Sequence, residues 1–378
     1  MTRFKKERCI KDLKKLVMTE DKEKLQYLFR SLKHHPSPYL IYELDGSIRW
    51  ANLAAKYIFR TEKMDDLKVL IPKESLESLE SKDGIAQAYD TPVEVSLRKI
   101  KFLMRTRVHR IPFDGSEDFL LIEILCPSRE GLEALQMTIS CIEFDRIDLA
   151  YQKQIDLKTN KVTGVEALLR MKDEAGNIIP NDILIPQIEG ESLFSLVVMS
   201  SLEKLREYFG KKDEIGLSDA TVYLNVSAHT VMHPEFCNIF TDFVESLNLK
   251  PNEFGLEVTE TAELGDTKTA SDSLTKLKAK GIKIALDDFG AGYSSLRYLK
   301  DLPVDVVKLD KMFTGDIHDP VTGKLTSFVV GVCNTLSMEM IGEGIETEEQ
   351  KETMMKIGCQ IGQGFLMHKP EFLTTLKN

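Results

Sequence analysis

Five apolar runs in the second half of this chain each finish on an acid, an amide or a lysine: Val222-Tyr223-Leu224-Asn225, Phe254-Gly255-Leu256-Glu257, Lys283-Ile284-Ala285-Leu286-Asp287-Asp288, Val304-Asp305-Val306-Val307-Lys308-Leu309-Asp310 and Met338-Glu339-Met340-Ile341-Gly342-Glu343. Runs of this kind read as buried strands, and a carboxylate at the end of one is costly to bury unless it is paired or holds a metal. Parallel strands that repeatedly deliver oxygen ligands to one end of a sheet describe a polar mouth. The most economical frame is the C-terminal face of a barrel of alternating strands and helices. Oxygen ligands suit a hard divalent cation.

The chain has 378 residues, enough for two domains, and its 42% hydrophobic content supports a core in each. A formal charge of −10 argues against binding a nucleic acid polymer or an anionic membrane through a general basic surface. A local basic pocket or a metal-bridged anionic substrate remains open. Cys9, Cys126, Cys141, Cys237, Cys333 and Cys359 lie far apart with no C-x-x-C pair, so neither zinc-knuckle spacing nor a small disulfide framework is present. A reducing cytoplasm is expected. The N-terminus runs into a charged helical pattern rather than an apolar leader, and no run approaches the length of a membrane span.

Residues 1–36 form a helical segment on this reading, with Ile10, Leu13, Leu16, Val17, Leu25, Leu28, Phe29 and Leu32 at helical spacing, ended by His34-His35-Pro36-Ser37-Pro38. Two short apolar runs between Tyr39 and Asn52, joined by Asp45-Gly46, predict a hairpin. A helix is expected over 53–59 and three more strands over 91–100, 101–113 and 117–125, the last two joined by a turn at Asp114-Gly115-Ser116. This α+β pattern, with the step from Trp50-Ala51-Asn52 into Leu53-Ala54-Ala55, resembles a PAS domain over residues 37–126. The resemblance implies a sensory or dimerising module and names no ligand. The cysteine motif of flavin-binding members is absent, His34, His35 and His109 read as solvated or structural, and Trp50 reads as core. Residues 127–142 read as a helical connector, either a lever or a packed spacer. From there, over 143–378, strand and helix patterns alternate to the end.

Glu166 interrupts the apolar strand Val162-Thr163-Gly164-Val165-Glu166-Ala167-Leu168-Leu169-Arg170. Alone, such an acid is a ligand, an ion-pair partner or a surface residue. Asn225, Glu257 and Asp287 join it as oxygen donors suited to Mg²⁺ or Mn²⁺, and no Cys or His accompanies them to favour zinc. Successive strand residues face opposite ways, so Asp287 and Asp288 reach one site only where the strand ends and turns, which the glycine-rich stretch Phe289–Ser295 permits. Two adjacent carboxylates then serve two metals, which sit about 3.5–4 Å apart where they act on a phosphoryl group. The alternative is an N-cap with a surface acid beside it. Lys308 and Asp310 share a strand face; the lysine either orients or deprotonates water beside metal, with its pKa lowered by the cations, or forms a salt bridge to Asp310 or Glu343. Gln363 is flanked by Gly362 and Gly364, which admit a ligand closely.

Tyr151-Gln152 with Asp156-Leu157, Glu166–Arg170, Leu184-Ile185-Pro186 with Glu189, Asn225-Val226-Ser227, Leu256–Glu260, Asp287-Asp288-Phe289-Gly290, Lys308-Leu309-Asp310, Glu343–Thr347 and Gln363-Gly364 resemble, in order, the EAL-domain cyclic di-GMP phosphodiesterases. The resemblance implies a TIM-like (β/α)8 barrel preceded by the small α+β domain, hydrolysing cyclic di-GMP to linear pGpG. It implies a first metal held by Glu166, Asn225, Glu257 and Asp287, and a second to which Asp288 and Asp310 contribute. Glu343 joins the metal network, Lys308 assists the water, Gln363 supports water or substrate, and Gln152 and Arg170 contact the ligand. Glu260 fixes the turn that couples the site to a homodimer interface. Lys153 and Gln154 stand where the family usually has Pro-Ile, Met171 replaces Trp, and Gly342 replaces Ala. No GGDEF-type segment intervenes, so cyclase activity is not expected. A catalytically silent receptor for cyclic di-GMP and a hydrolase of another phosphodiester are the rival readings.

Overall fold

The hairpin expected after the His-Pro break is present: β1 (Tyr39–Glu43) and β2 (Ile48–Ala51) pair antiparallel, with Ile41 opposite Trp50. The computed structural model describes residues 32–33, 37–43, 48–59, 67–70, 88–97, 100–111, 119–125, 129–188, 192–232, 236–259, 267–291 and 296–377. Most of the helical segment expected over 1–36 and the turn at 114–116 lie outside these residues. The chain divides into two compact units, Met1–Arg146 with Met171–Val197, and Ile147–Arg170 with Val198–Asn378.

In the first unit, α1 (Leu53–Phe59) is entered through the fully buried Asn52. Its Oδ1 accepts from the Tyr39 amide at 3.0 Å and the Ala55 amide at 2.9 Å, while Nδ2 donates to the carbonyls of Leu32 at 3.2 Å and Ser37 at 2.8 Å. One side chain thus caps the helix and ties the strand beside it. The strands β3 (Leu67–Leu70), β4 (Ala88–Leu97), β5 (Ile100–Ile111) and β6 (Phe119–Ile124) complete a sheet ordered β2-β1-β6-β5-β4-β3. Its described pairings are antiparallel. The meander expected from residue 91 is there; β3 is an added edge strand of four residues, too short for its alternation to register in the sequence. The connector is α2 (Arg129–Glu143), which buries Ala134, Leu135 and Ile139.

The second unit is built on a closed barrel. Its elements are β7 (Ile147–Asp156), β8 (Val162–Lys172), β9 (Ile178–Ile179), α3 (Asn181–Ile188), α4 (Ser192–Lys211), β10 (Thr221–Val226), α5 (Ala228–Met232), α6 (Phe236–Ser246), β11 (Phe254–Thr259), α7 (Thr267–Ala279), β12 (Lys283–Phe289), α8 (Leu296–Asp301), β13 (Val306–Leu309), α9 (Lys311–Gly315), α10 (Pro320–Thr335), β14 (Glu339–Gly342), α11 (Glu348–Ile357), β15 (Ile361–Gly362) and β16 (Glu371–Phe372); β9, α3 and the start of α4 belong to the first unit. The barrel runs β7-β15-β14-β13-β12-β11-β10-β8, closed by β8 on β7. The strands from β8 and β10 through β15 are parallel, and β7 runs against them. This is the TIM-like barrel expected from the alternating pattern. Strands covered by helices outside and packed inside read as unbroken apolar runs, as in Val306–Leu309, where every residue is buried.

Tyr223, Ala285, Val306 and Ile341 pack together inside the barrel with Ile361 against them. A Cβ on Gly255 would lie 2.5 Å from the Tyr223 ring, so this glycine makes room for the tyrosine. Side chains two positions apart on a strand share a face. The next inward residues after these five floor positions are therefore Asn225, Asp287, Lys308, Glu343 and Gln363, and the one after Gly255 is Glu257. Among the described residues no helix is long and apolar enough to cross a membrane.

Candidate active site

Lys308 stands at the centre of the barrel mouth, 1% exposed. Its Nζ lies 2.6 Å from Glu257 Oε2, 3.0 Å from Asp287 Oδ1, 3.0 Å from Glu343 Oε1 and 3.3 Å from Glu166 Oε2. The salt-bridge partner named from sequence, Glu343, is among them. Asp310 is not: β13 ends at Leu309, and the Asp310 carboxylate caps α9 by accepting from the Met312 amide at 2.8 Å.

Asp287 and Asp288 meet through a backbone device. Asp288 has φ of +54°, in the left-handed region, Gly290 follows at +100°, and the β12–β13 pairing slips between Leu286 and Phe289. The slip undoes the usual alternation, so both carboxylates come within 4.8 Å of each other and of Glu343. A non-glycine residue held there is strained, and strain of that sort collects at functional sites. Glu343 is carried on a loop pinned by a capping box on α11, in which Thr347 Oγ1 accepts from the Gln350 amide at 3.2 Å and Gln350 Oε1 accepts from the Thr347 amide at 3.0 Å.

The amides form a second network. Asn225 Nδ2 donates to Glu166 Oε1 at 2.7 Å, and Gln363 Nε2 donates to Glu166 Oε2 at 2.6 Å and to Gln152 Oε1 at 3.1 Å. Gln152 Nε2 in turn donates to the His368 carbonyl at 3.1 Å. Gln154, which the sequence marks only as a departure, is buried and donates to Gln363 Oε1 at 3.1 Å and Glu257 Oε1 at 3.4 Å. Its place was visible two residues beyond Gln152 on the same strand face. Arg170 is half-buried on β8 with Nη1 donating to the Leu169 carbonyl at 2.8 Å. Glu260 lies outside the described residues.

The other departures are accommodated locally. Met354 Cε lies 2.5 Å from where a Cβ on Gly342 would be, so the methionine tip fills the space of the usual alanine. Met171 is fully buried and pairs with Ile179.

Five carboxylates face one ammonium in this mouth. Burial, followed by repulsion from Glu166, holds Glu257 well above the ordinary 4.5 despite Lys308. Burial likewise raises Asp287, pushes Asp288 up to about 6, and pushes Glu343 up to about 8. Glu166 goes the other way: burial is outweighed by Lys308 and by the hydrogen bonds from Gln363 and Asn225, so it sits below 4.5. Lys308 itself is held well above 10.5, since burial, which lowers it, is overcome by Asp287, Glu166, Glu257 and Glu343. In the protein alone the lysine is thus a cation.

Two trios have ligand oxygens within 4.8 Å of one another: Glu166, Glu257 and Asp287, and Asp287, Asp288 and Glu343. An excess of buried carboxylate sharing Asp287 between two clusters fits two divalent cations with oxygen preference. Asp310 belongs to neither trio, although its charge is felt at Asp288.

Comparison with known proteins agrees with this geometry. The EAL domain family model matches residues 132–370. This chain belongs to the EAL domain family. Among EAL-type relatives, the signaling protein YkoW of Bacillus subtilis is 32% identical over 234 residues, covering 61% of this chain and 29% of its own length. The bifunctional diguanylate cyclase/cyclic di-GMP phosphodiesterase MucR of Pseudomonas aeruginosa is 26% identical over 362 residues, 89% of this chain and 53% of MucR. The probable cyclic di-GMP phosphodiesterase PdeB of Escherichia coli is 31% identical over 232 residues, 60% of this chain and 43% of PdeB. The chain therefore spans about half or less of these relatives. The solved PaMucR phosphodiesterase in complex with c-di-GMP superposes with a TM-score of 0.60 at 31% identity, over 65% of this chain and 99% of that one. The manganese and cyclic di-GMP complex of BlrP1 from Klebsiella pneumoniae gives 0.51 at 27% identity, over 60% and 56%.

Proposed function

We propose that this EAL protein hydrolyses one phosphodiester bond of cyclic di-GMP to give linear pGpG, with Mg²⁺ or Mn²⁺. The observation that carries the reading is the crowd of carboxylates around Lys308, with Asp287 shared between two ligand trios. Relatives of the same family are named for this activity. Cations seated here would offset charge on the phosphodiester and acidify an attacking water. Glu166, Asn225, Glu257 and Asp287 hold the first, Asp288 and Asp310 contribute to the second, and Glu343 joins their network. Lys308, whose ammonium reaches four of these acids, assists the nucleophilic water by orienting it or by taking its proton. Arg170 offers the rigid donor fork that suits a phosphate, and Gln152 completes the ligand contacts.

The deciding experiment is incubation with cyclic di-GMP and Mg²⁺ or Mn²⁺ while following pGpG. Tight binding without turnover would make the protein a receptor instead.

The regulatory half of the proposal is a PAS-like sensor over residues 37–126 and a homodimer. The antiparallel sheet, with a hairpin flanking the last strand of a meander, supports the former. The latter is supported by α10, which exposes Val321, Leu325 and Phe328 on one face, an apolar stripe of the sort that subunits cover. Glu260 is assigned the coupling of site to interface. A reducing compartment, the cytoplasm, fits the free thiols of Cys141, Cys237, Cys333 and Cys359. Removing residues 1–126 is expected to shift the turnover rate or the dimer equilibrium, measured by pGpG release and sedimentation. An unchanged enzyme would reduce the PAS-like part to a spacer.

A further inference from the structure

Gln154 is out of character with its layer. The ring of Tyr223, from the apolar floor, lies beside it, 3.2 Å from where a Cβ on Gly164 would be. The Gln154 side chain fits only because Gly164 has none: a Cβ there would lie 2.2 Å from Gln154 Oε1. A buried amide in an apolar layer is costly unless it is bonded, and Gln154 Nε2 reaches two acceptors, Gln363 Oε1 at 3.1 Å and Glu257 Oε1 at 3.4 Å.

These bonds have a direction. The Gln363 NH₂ donates to Glu166 Oε2 at 2.6 Å and to Gln152 Oε1 at 3.1 Å, which turns the Gln363 oxygen toward Gln154. The Gln154 NH₂ meets that oxygen at 3.1 Å and reaches Glu257 Oε1 at 3.4 Å, so it supplies the Gln363 oxygen with a donor. Turning the Gln363 amide over would set two NH₂ groups against each other and an oxygen against the Glu166 carboxylate. The relay Glu257, Gln154, Gln363, Glu166 is consistent in one sense only.

We infer that Gln154 is a positioning residue of this protein: it locks the Gln363 amide with its NH₂ on Glu166 and its oxygen turned inward, and so fixes two of the acids that hold metal. Gln363 then serves as a donor to a ligand carboxylate rather than as an oxygen offered to water or cation. An aliphatic residue at 154, the usual one on the family resemblance, leaves the oxygen of Gln363 without this donor.

The inference rests on the phosphodiesterase reading only for its kinetic arm. The variant is Gln154→Met, close in shape and without a donor. Calorimetric titration of the full chain with Mn²⁺ should show affinity reduced by about tenfold, the usual scale for a partner of a metal ligand. Turnover of cyclic di-GMP should fall in kcat by a similar factor with KM nearly unchanged, because Gln154 touches no substrate. In a Gln363→Met background, Gln154→Met should cost clearly less than it does alone, since only its contact with Glu257 is then left to lose. Wild-type Mn²⁺ affinity in Gln154→Met, or an undiminished effect in the Gln363→Met background, would overturn the inference. Should Gln154→Met not fold, Gln154→Ile takes its place; loss of folding in both would make the residue structural and overturn it too. If the wild type turns over no cyclic di-GMP, the proposed function fails while the Mn²⁺ titrations still decide this point.

Discussion

Lys308 is the residue on which the site's electrostatics turn. Its ammonium is within 3.3 Å of four carboxylates. Removing one partner of a buried ion pair typically costs about 3–5 kcal/mol, because the remaining charge is left uncompensated. Lys308→Met should lower the unfolding free energy of the metal-free protein on that scale, with Mn²⁺ restoring part of it, as read by denaturant titration. Turnover should drop by about 10²–10⁴-fold, the range for losing a positioned proton-handling group. Glu166 is the complementary case, the acid whose pKa is depressed and which stays ionised. Glu166→Ala should abolish pGpG release; near-normal rates would mean that the site lies elsewhere.

At the scale of the strand, the barrel is a two-residue step repeated from floor to mouth: Tyr223 to Asn225, Ala285 to Asp287, Val306 to Lys308, Ile341 to Glu343 and Ile361 to Gln363. The period of a strand is all that this requires, which is why the apolar runs and their polar ends were readable from composition along the chain. Glycines tune the layers. A Cβ on Gly364 would lie 2.1 Å from the Ile345 carbonyl oxygen and 2.4 Å from its nitrogen, whereas one on Gly342 comes closer than 3 Å only to Met354 Cε, the end of a flexible side chain. Gly364→Ala should therefore cost about 1–3 kcal/mol, the scale of forced overpacking, and Gly342→Ala less than about 1 kcal/mol. Thermal unfolding of the two variants checks this; equal costs would contradict it. Other features were not readable. The left-handed Asp288 and the strand end at Leu309, which turns Asp310 into a cap, depend on backbone geometry that no residue pattern encodes. Gln154 stood out in the sequence only as a departure from the family pattern, because its partners Glu257 and Gln363 lie more than a hundred residues away.

For the molecule as a whole, the acid-rich mouth links stability to protons and to divalent cations. Asp288 is pushed up to about 6 and Glu343 up to about 8, with Glu257 and Asp287 raised as well, all chiefly by burial. A raised carboxyl pKa means that the folded state binds its proton more tightly than the unfolded chain does. The resulting stabilisation is complete below the ordinary carboxylate range and is lost as pH climbs through about 6 for Asp288 and then about 8 for Glu343. Glu166 has the opposite sign, but its contribution falls away only in acid, below its usual 4.5, and Lys308 stays charged throughout. Between pH about 5.5 and 8.5 the chelated protein should accordingly lose melting temperature, on the order of 5 °C for a few kcal/mol in a domain of this size. A cation takes the place of the protons, so Mn²⁺ should raise the melting temperature more at the alkaline end than at the acid end. Other groups titrate over the same range, and Glu343→Gln separates them: with the carboxyl gone, the slope of melting temperature against pH should flatten and the extra Mn²⁺ effect at high pH should shrink. A slope identical to that of the wild type would mean that Glu343 carries no such linkage, and that the charge excess of the mouth is relieved by some other acid.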